Sequence, residues 1–286
     1  MLRKFWNSVI ELTVMKRKCF VCPLLVLFML AGGCGSADQV IIDETPVFFG
    51  DNEPFYNVCI ERYDVDGDGI LTRYECSLVK EMDVSNLNLF SLEGISNFTN
   101  LERLFCYGNV LSVLDLSSMK ELKYLYCNNS NIHELDVSGC GELLILDAHY
   151  NYLEEVDISS CRKIFLLSVC FNPRLDELNL AGASNLGTLY CQSCALTKLD
   201  VSACNLLEGL HCWGNSITEL NLDGCSNLTD LWCGDNDLYT VDVSSCPDMM
   251  EYISCPRNNR MTRLYMRQGQ TAASIELPAH AAIINK

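Results

Sequence analysis

Apolar positions recur along this chain with a period of 21 residues. Leu101–Glu121 reads LERLFCYGNVLSVLDLSSMKE, and windows opening at Leu122, Leu143, Ile164, Leu186, Leu207 and Leu228 repeat it as LxxLxCxxNxLxxLDVSxCxx. The window from Ile164 is longer by one, Pro173-Arg174 marking the insertion, and a worn eighth copy opens at Met249. Within each window the alternation Leu104/Cys106, Leu125/Cys127, Leu189/Cys191, Leu210/Cys212 and Leu231/Cys233 predicts a strand with one buried face. A second alternation, Leu135/Val137 or Leu199/Val201, predicts a short extended segment on the opposite side. So short a unit leaves little room for a helix and cannot bury its apolar edge alone, so successive units must stack. Asn109, Asn151, Asn172, Asn215 and Asn236 follow the strands, where an amide side chain can bond the turning backbone.

Self-similarity at this spacing resembles the leucine-rich repeat solenoids, and that resemblance implies a mainly β coil of parallel strands. Residues 83–100 read as a transitional repeat, so the array is expected over 83–256, with 257–286 breaking the period and closing the coil. The 18 cysteines at first suggest a disulfide framework. Position explains most of them differently. Cys106, Cys127, Cys191, Cys212 and Cys233 share one core place; Cys140, Cys161, Cys204, Cys225 and Cys246 share another, where Met119 and Ala183 substitute. Exchange with Met and Ala marks a small buried hydrophobe, so ladders of free thiols are expected. Over residues 101–248 this resembles the cysteine-ladder repeats of bacterial internalin-like surface proteins.

The N-terminal stretch has a different character. Met15 opens a better-formed start than Met1: Lys16, Arg17 and Lys18 are followed by the apolar run Val21–Leu30, too short to span a bilayer. The run ends in Leu30-Ala31-Gly32-Gly33-Cys34, which resembles the lipobox of bacterial lipoproteins. That resemblance implies a signal peptide over 1–33, lipidation of Cys34, and a tether over 34–54. It also implies export and anchoring by lipid alone, at the outer membrane or cell surface of a Gram-negative bacterium. Removing residues 1–33, with five basic residues and one acid, takes the net charge from −17 to −21. Nucleic acid is therefore not an expected partner.

Residues 55–82 carry the one sharp ligand motif. Asp64-Val-Asp66-Gly-Asp68-Gly69-Ile70-Leu71-Thr72-Arg-Tyr-Glu75 fits D-x-D-x-D-G-x5-E throughout. Calcium takes six to eight oxygens, and this spacing offers them from Asp64, Asp66, Asp68, the Ile70 carbonyl, Thr72 and Glu75. With apolar residues at helical spacing on both flanks, the segment resembles an EF-hand or half a dockerin. One structural calcium ion is expected, in a small α-helical cap over the first turn of the coil. Cys59 and Cys76 flank the loop and are candidates for pairing.

Function, on this reading, belongs to the outward places of the strands. These carry Phe105, Tyr107, Tyr124, Tyr126, Asp147, His149, Tyr190, His211, Trp213, Asp230 and Trp232. In the eighth copy the same frame places Glu251, Ile253 and Cys255. Exposed aromatics interspersed with acids suit a protein interface or sugar rings; cross-strand packing is the alternative, and binding is favoured over it because large exposed patches usually mean contact. The expectation is a monomeric surface module that binds protein, with glycan capture and a ligand-free envelope spacer as alternatives. His149 beside Cys170 is the one pair with nucleophilic chemistry, but a flat face offers no pocket that excludes water, so no enzyme is expected.

Overall fold

The computed structural model describes residues 42–286. The expected signal peptide and Cys34 lie outside the described residues. The repeats wind into a parallel β-solenoid whose main sheet has ten strands in strict chain order, from Glu81–Asp83 to Thr271–Glu276. Register follows the sequence period: Leu104 pairs with Leu125, Leu125 with Leu146, and Leu189 with Leu210. The central residue of each of these strands is buried while its neighbours face outward, as alternation requires. Both thiol columns are buried and free, as are Cys59 and Cys76.

Asparagine completes each turn. The Asn109 side chain donates to Val84 O (2.8 Å) and Cys106 O (2.9 Å) and accepts from the Leu87 and Leu89 amides. Asn151, Asn172, Asn236 and Asn258 repeat the arrangement, each stitching its own turn to the one before. Where the column departs from asparagine, Ser130 and Cys194 still reach the carbonyl of the preceding turn, Cys106 O and Val169 O. Buried backbone groups are thereby satisfied although the chain leaves the sheet.

The opposite flank carries short strands in separate sheets. Val113–Asp115 pairs with Glu134–Asp136, Glu155–Asp157 with Glu177–Asn179, and Lys198–Asp200 with Glu219–Asn221. A last set joins Thr240–Asp242, Arg263–Met266 and Ala282–Asn285. At the end of these strands Asp115, Asp136, Asp157 and Asp200 each accept the amide of the serine two residues on. Asn179 and Asn221 do the same for Ala181 and Asp223. The row is therefore a set of side-chain-closed turns.

Three expectations are corrected here. First, Asp230 pairs with Tyr252 and Trp232 with Ser254, so the eighth copy is displaced by one residue. Met249 is exposed and Met250 fully buried, because the link from Cys246 to the next core residue is one residue longer than in the preceding turns. Ile253 and Cys255 are therefore core residues, and Tyr252 and Ser254 take the outward places. Second, residues 257–286 continue the coil: Thr271–Glu276 extends the main sheet and Ala282–Asn285 the flank. Third, the tether ends before Pro54. Val47 N donates to Leu71 O and Arg73 N to Thr45 O, both at 2.9 Å, and Phe49 is buried against Phe55 and Phe98.

Candidate functional site

The loop at the N-terminal end is built from helix α1 (Glu53–Tyr63) and helix α2 (Arg73–Leu78). Pro54 lies in the first turn of α1, where its missing N–H costs nothing. Thr72 caps α2 in a capping box with Glu75. Between the helices the aspartates fold the backbone around themselves. Asp64 accepts from the Gly67 amide at 2.7 Å and the Gly69 amide at 2.8 Å, Asp66 from Asp68 at 3.1 Å, and Asp68 from Ile70 at 2.7 Å. Gly69 has φ +82°, the left-handed turn that a side chain resists. The Gly69 amide is the leading cause holding the Asp64 carboxyl below its usual range.

One carboxylate oxygen from each of Asp64, Asp66 and Asp68 lies within 4.8 Å of the others. Three like charges at that separation repel, and an all-oxygen donor set suits a hard divalent cation. Glu75 is buried and accepts from Val65 N (2.7 Å), Thr72 N (2.9 Å) and Thr72 Oγ1 (2.9 Å). Its carboxylate thus joins the capping box at Thr72 to the start of the loop at Val65. The donors fit calcium in type. A lone hand normally lacks the partner loop that steadies it; here Thr45–Val47 pairs with Leu71–Arg73 in that place.

The second candidate is the outward face of the main sheet. Phe105, Tyr107, Tyr124, Tyr126, Tyr190, His211, Trp213, Asp230 and Trp232 are all half-buried there. The rings lie against one another in columns. Phe105 and Tyr126 stack at 5.0 Å and 5°. Tyr190, His211, Trp232 and Tyr252 run through four successive turns at 4.7, 6.0 and 5.9 Å. Burial drives the His211 pKa down to about 4, leaving a neutral ring in the column. It pushes the Tyr190 hydroxyl up to about 12 and raises the Asp230 carboxyl.

Asp147 and His149, expected on the exposed face, are instead buried at 6 % and 5 % exposure. His149 Nδ1 lies 2.5 Å from Asp147 Oδ1. Tyr150 packs edge-on to His149 and stacks on Phe171, whose ring meets Trp213 two turns further on. Tyr150 and Phe171 were not singled out in the sequence; Gln192, which the repeat frame places outward, is 2 % exposed in the same region. The usable signal was the position itself, which takes positive φ in successive turns: Gly108, Asn129, Tyr150, Phe171, Ser193, Gly214 and Asp235. Cys170 Sγ lies 3.7 Å from Ser168 Oγ, and burial pushes its pKa to about 12, the opposite of an activated nucleophile.

The flank presents a third surface, a groove of about 1140 Å³ lined by Asp115, Glu134, Asp136, Glu155, Asp157 and Glu177 among others. Its carboxylates repel nucleic acid and anionic lipid alike.

Among solved structures the chain is similar to the functional domain of InlJ from Listeria monocytogenes, described as including a cysteine ladder. Identity is 23%, over 83% of this chain and 62% of that one, with a TM-score of 0.53. The leucine-rich repeat domain of APL1B follows at 16% identity, 72% and 71% coverage and a TM-score of 0.52. A leucine-rich repeat protein of Leptospira interrogans gives 18%, 72% and 54%, with a TM-score of 0.51. The chain thus spans less than two thirds of the InlJ chain. No protein-family model matches it, and no curated protein matches. These likenesses establish the fold: a leucine-rich repeat solenoid with parallel strands.

Proposed function

We propose that this chain is a protein-binding module of a bacterial cell surface, carried on a lipid anchor at Cys34 and engaging its partner through the main sheet. The observation that supports it is the composition of that face: tyrosine, tryptophan and histidine rings on successive turns, with Asp230 beside them. Tyr and Trp are the residues that dominate interface energetics, and aromatic columns arrive already ordered, so little side-chain entropy remains to be lost. The role of the Asp64–Glu75 loop in this reading is structural. One calcium ion held by Asp64, Asp66, Asp68, the Ile70 carbonyl, Thr72 and Glu75 would offset half the charge of the loop's four carboxylates and fix α1 and α2 over the first turn.

Glycan capture is the second reading, and the stacking weighs against it. A sugar ring packs on an aromatic face, and in the columns Phe105–Tyr126 and Tyr190–His211–Trp232 the faces between adjacent rings are taken. What remains outward is ring edges and polar tips, which suit a protein surface. The test is binding of the purified protein to a panel of extracellular protein domains and of polysaccharides, with Trp213→Ala/Trp232→Ala alongside. Saturable binding to a protein, weakened at least about tenfold in the variant, is the expected outcome. Binding confined to polysaccharides, or binding indifferent to both tryptophans, sinks the reading.

A further inference from the structure

Cys233 and Cys255 hold the same place in successive turns, two residues beyond the paired Leu231 and Ile253. Their Sγ atoms are 3.0 Å apart. That is closer than the roughly 3.5–4.0 Å at which non-bonded carbons rest, although sulfur is the larger atom. Among the described residues no other two thiols share such a contact, although the column also runs through Cys191 and Cys212. The backbone on both sides of the pair explains the difference. A side chain at Gly234 would meet Pro256 Cδ at 2.8 Å, so only glycine lets the two turns come this near. Arg257 closes on both carboxylate oxygens of Asp235 one step further. The Asn258 side chain donates to Cys233 O and Cys255 O, each at 3.0 Å, a bridge that Asn236 also makes between Cys212 O and Cys233 O and that therefore holds the turns without distinguishing this pair.

We propose that Cys233 and Cys255 form a disulfide site, the one place where the thiol column becomes covalent. The reaction is thiol–disulfide exchange with a low-molecular-weight disulfide such as glutathione disulfide. One thiol gives up its proton, and the thiolate attacks a glutathione sulfur, expelling one glutathione. The second thiol, deprotonated in turn, displaces the other glutathione and closes the Cys233–Cys255 bond. Two protein thiols are oxidised with loss of two protons and two electrons, and one glutathione disulfide becomes two glutathiones. Both sulfurs are buried. Exchange therefore waits on local opening of the turns stacked beyond the pair, Arg263–Met266, Thr271–Glu276 and Ala282–Asn285. Slow oxidation that accelerates in low urea follows from this. Once formed, the bond ties the turn of Trp232 to the turn of Tyr252 and so fixes the last pair of the aromatic column.

The experiment incubates the full chain, purified reduced, with glutathione disulfide. Remaining thiols are then alkylated under denaturing conditions and non-reduced digests are mapped by mass spectrometry. The expected result is loss of two alkylatable thiols and a peptide joining Cys233 to Cys255. Cys212→Ser should retain that link and Cys255→Ser should lose it. Should Cys255→Ser fail to fold, the map of the unmodified chain still decides. All thiols remaining free under conditions that oxidise a control dithiol peptide overturns the proposal. So does a map lacking the Cys233–Cys255 peptide, or one in which links are spread evenly along the column.

Discussion

The rings of Tyr150 and Phe171 stack at 4.5 Å and 9°, and both residues have left-handed backbones, with φ of +53° and +57°. Neighbouring turns place Gly108, Asn129 and Gly214 at this position, the types that tolerate the conformation. Each aromatic carries a backbone cost of about 1–2 kcal/mol, offset in part by a stack worth about 0.5–1.5 kcal/mol. Phe171→Gly should therefore change stability by no more than about 1 kcal/mol, while Phe171→Val, branched at Cβ, should destabilise by more. Urea unfolding of the two variants checks this. A glycine variant weaker than the valine variant would show that the ring contacts, and not the backbone, set the energy there.

Asn172 is fully buried and serves four backbone partners within two turns: it accepts from Leu153 N and donates to Ala148 O and Val169 O, while its own carbonyl accepts from Leu175 N. Asn172→Ala strands three of those groups. At about 1–3 kcal/mol for each unsatisfied buried group, a loss of roughly 3 kcal/mol or more is expected. Asn172→Ser should cost less, since Ser130 performs part of the task at the equivalent place. Equal losses for Ala and Ser, read from denaturant midpoints, would remove the side-chain hydrogen bonds from the explanation.

If the Asp64–Glu75 loop holds calcium, saturating ion should stabilise the molecule by about 2.7 kcal/mol at a hundred times the dissociation constant. Scanning calorimetry with calcium and then with a chelator should show the melting temperature fall. Asp64→Asn/Asp68→Asn should melt as the chelated protein does, with or without the ion. A melting temperature indifferent to calcium in the unmodified chain rejects the site.

The flank aspartates set the acid limit. Hydrogen bonds from Ser117 hold the Asp115 carboxyl below its ordinary range; Ser159 does so for Asp157 and Ser202 for Asp200. A carboxyl depressed in the folded state contributes stability that is complete above the unfolded value, about 3.9, and disappears as pH falls through the folded value. The unfolding midpoint should therefore drop below about pH 4. Asn179 and Asn221 accept the same turn amides without titrating. Asp115→Asn/Asp157→Asn/Asp200→Asn should flatten the acid limb while leaving neutral-pH stability within about 1 kcal/mol. An acid limb unchanged in the triple variant assigns the loss to other carboxyls.

The coil was legible because its information is local and repeated: Leu125 or Cys212 means the same thing in every window, and copies correct one another. The frame of the last copy was harder, because Met249 and Met250 are both apolar and only packing decides which is buried. Burial of Asp147 and His149 was not legible at all. It depends on Tyr150 and Phe171 occupying a left-handed place without the glycine or asparagine that announces one. The pairing of Thr45–Val47 with the calcium-type loop is non-local and three residues long, too short for a pattern. Within the candidate site, then, the sequence named the rings and the loop carboxylates as candidates and cross-strand packing as one reading of the rings, but not which rings stack on which.

The two sides of the coil are hydrogen-bonded differently. The main sheet is continuous through ten strands, whereas the flank is interrupted between Asp136 and Glu155, between Asn179 and Lys198, and between Asn221 and Thr240. Mechanically this is a strip bonded to an inextensible backing on one side and jointed on the other. Stretching the sheet breaks a full set of ladder bonds, whereas each flank joint is crossed by a single such backbone bond, Tyr152 N to Ile132 O, Ala195 N to Leu175 O and Asp237 N to Ile217 O. The molecule's softest deformation is therefore a change of curvature concentrated at three joints, which lets a rigid row of rings conform to a bowed surface without losing its spacing.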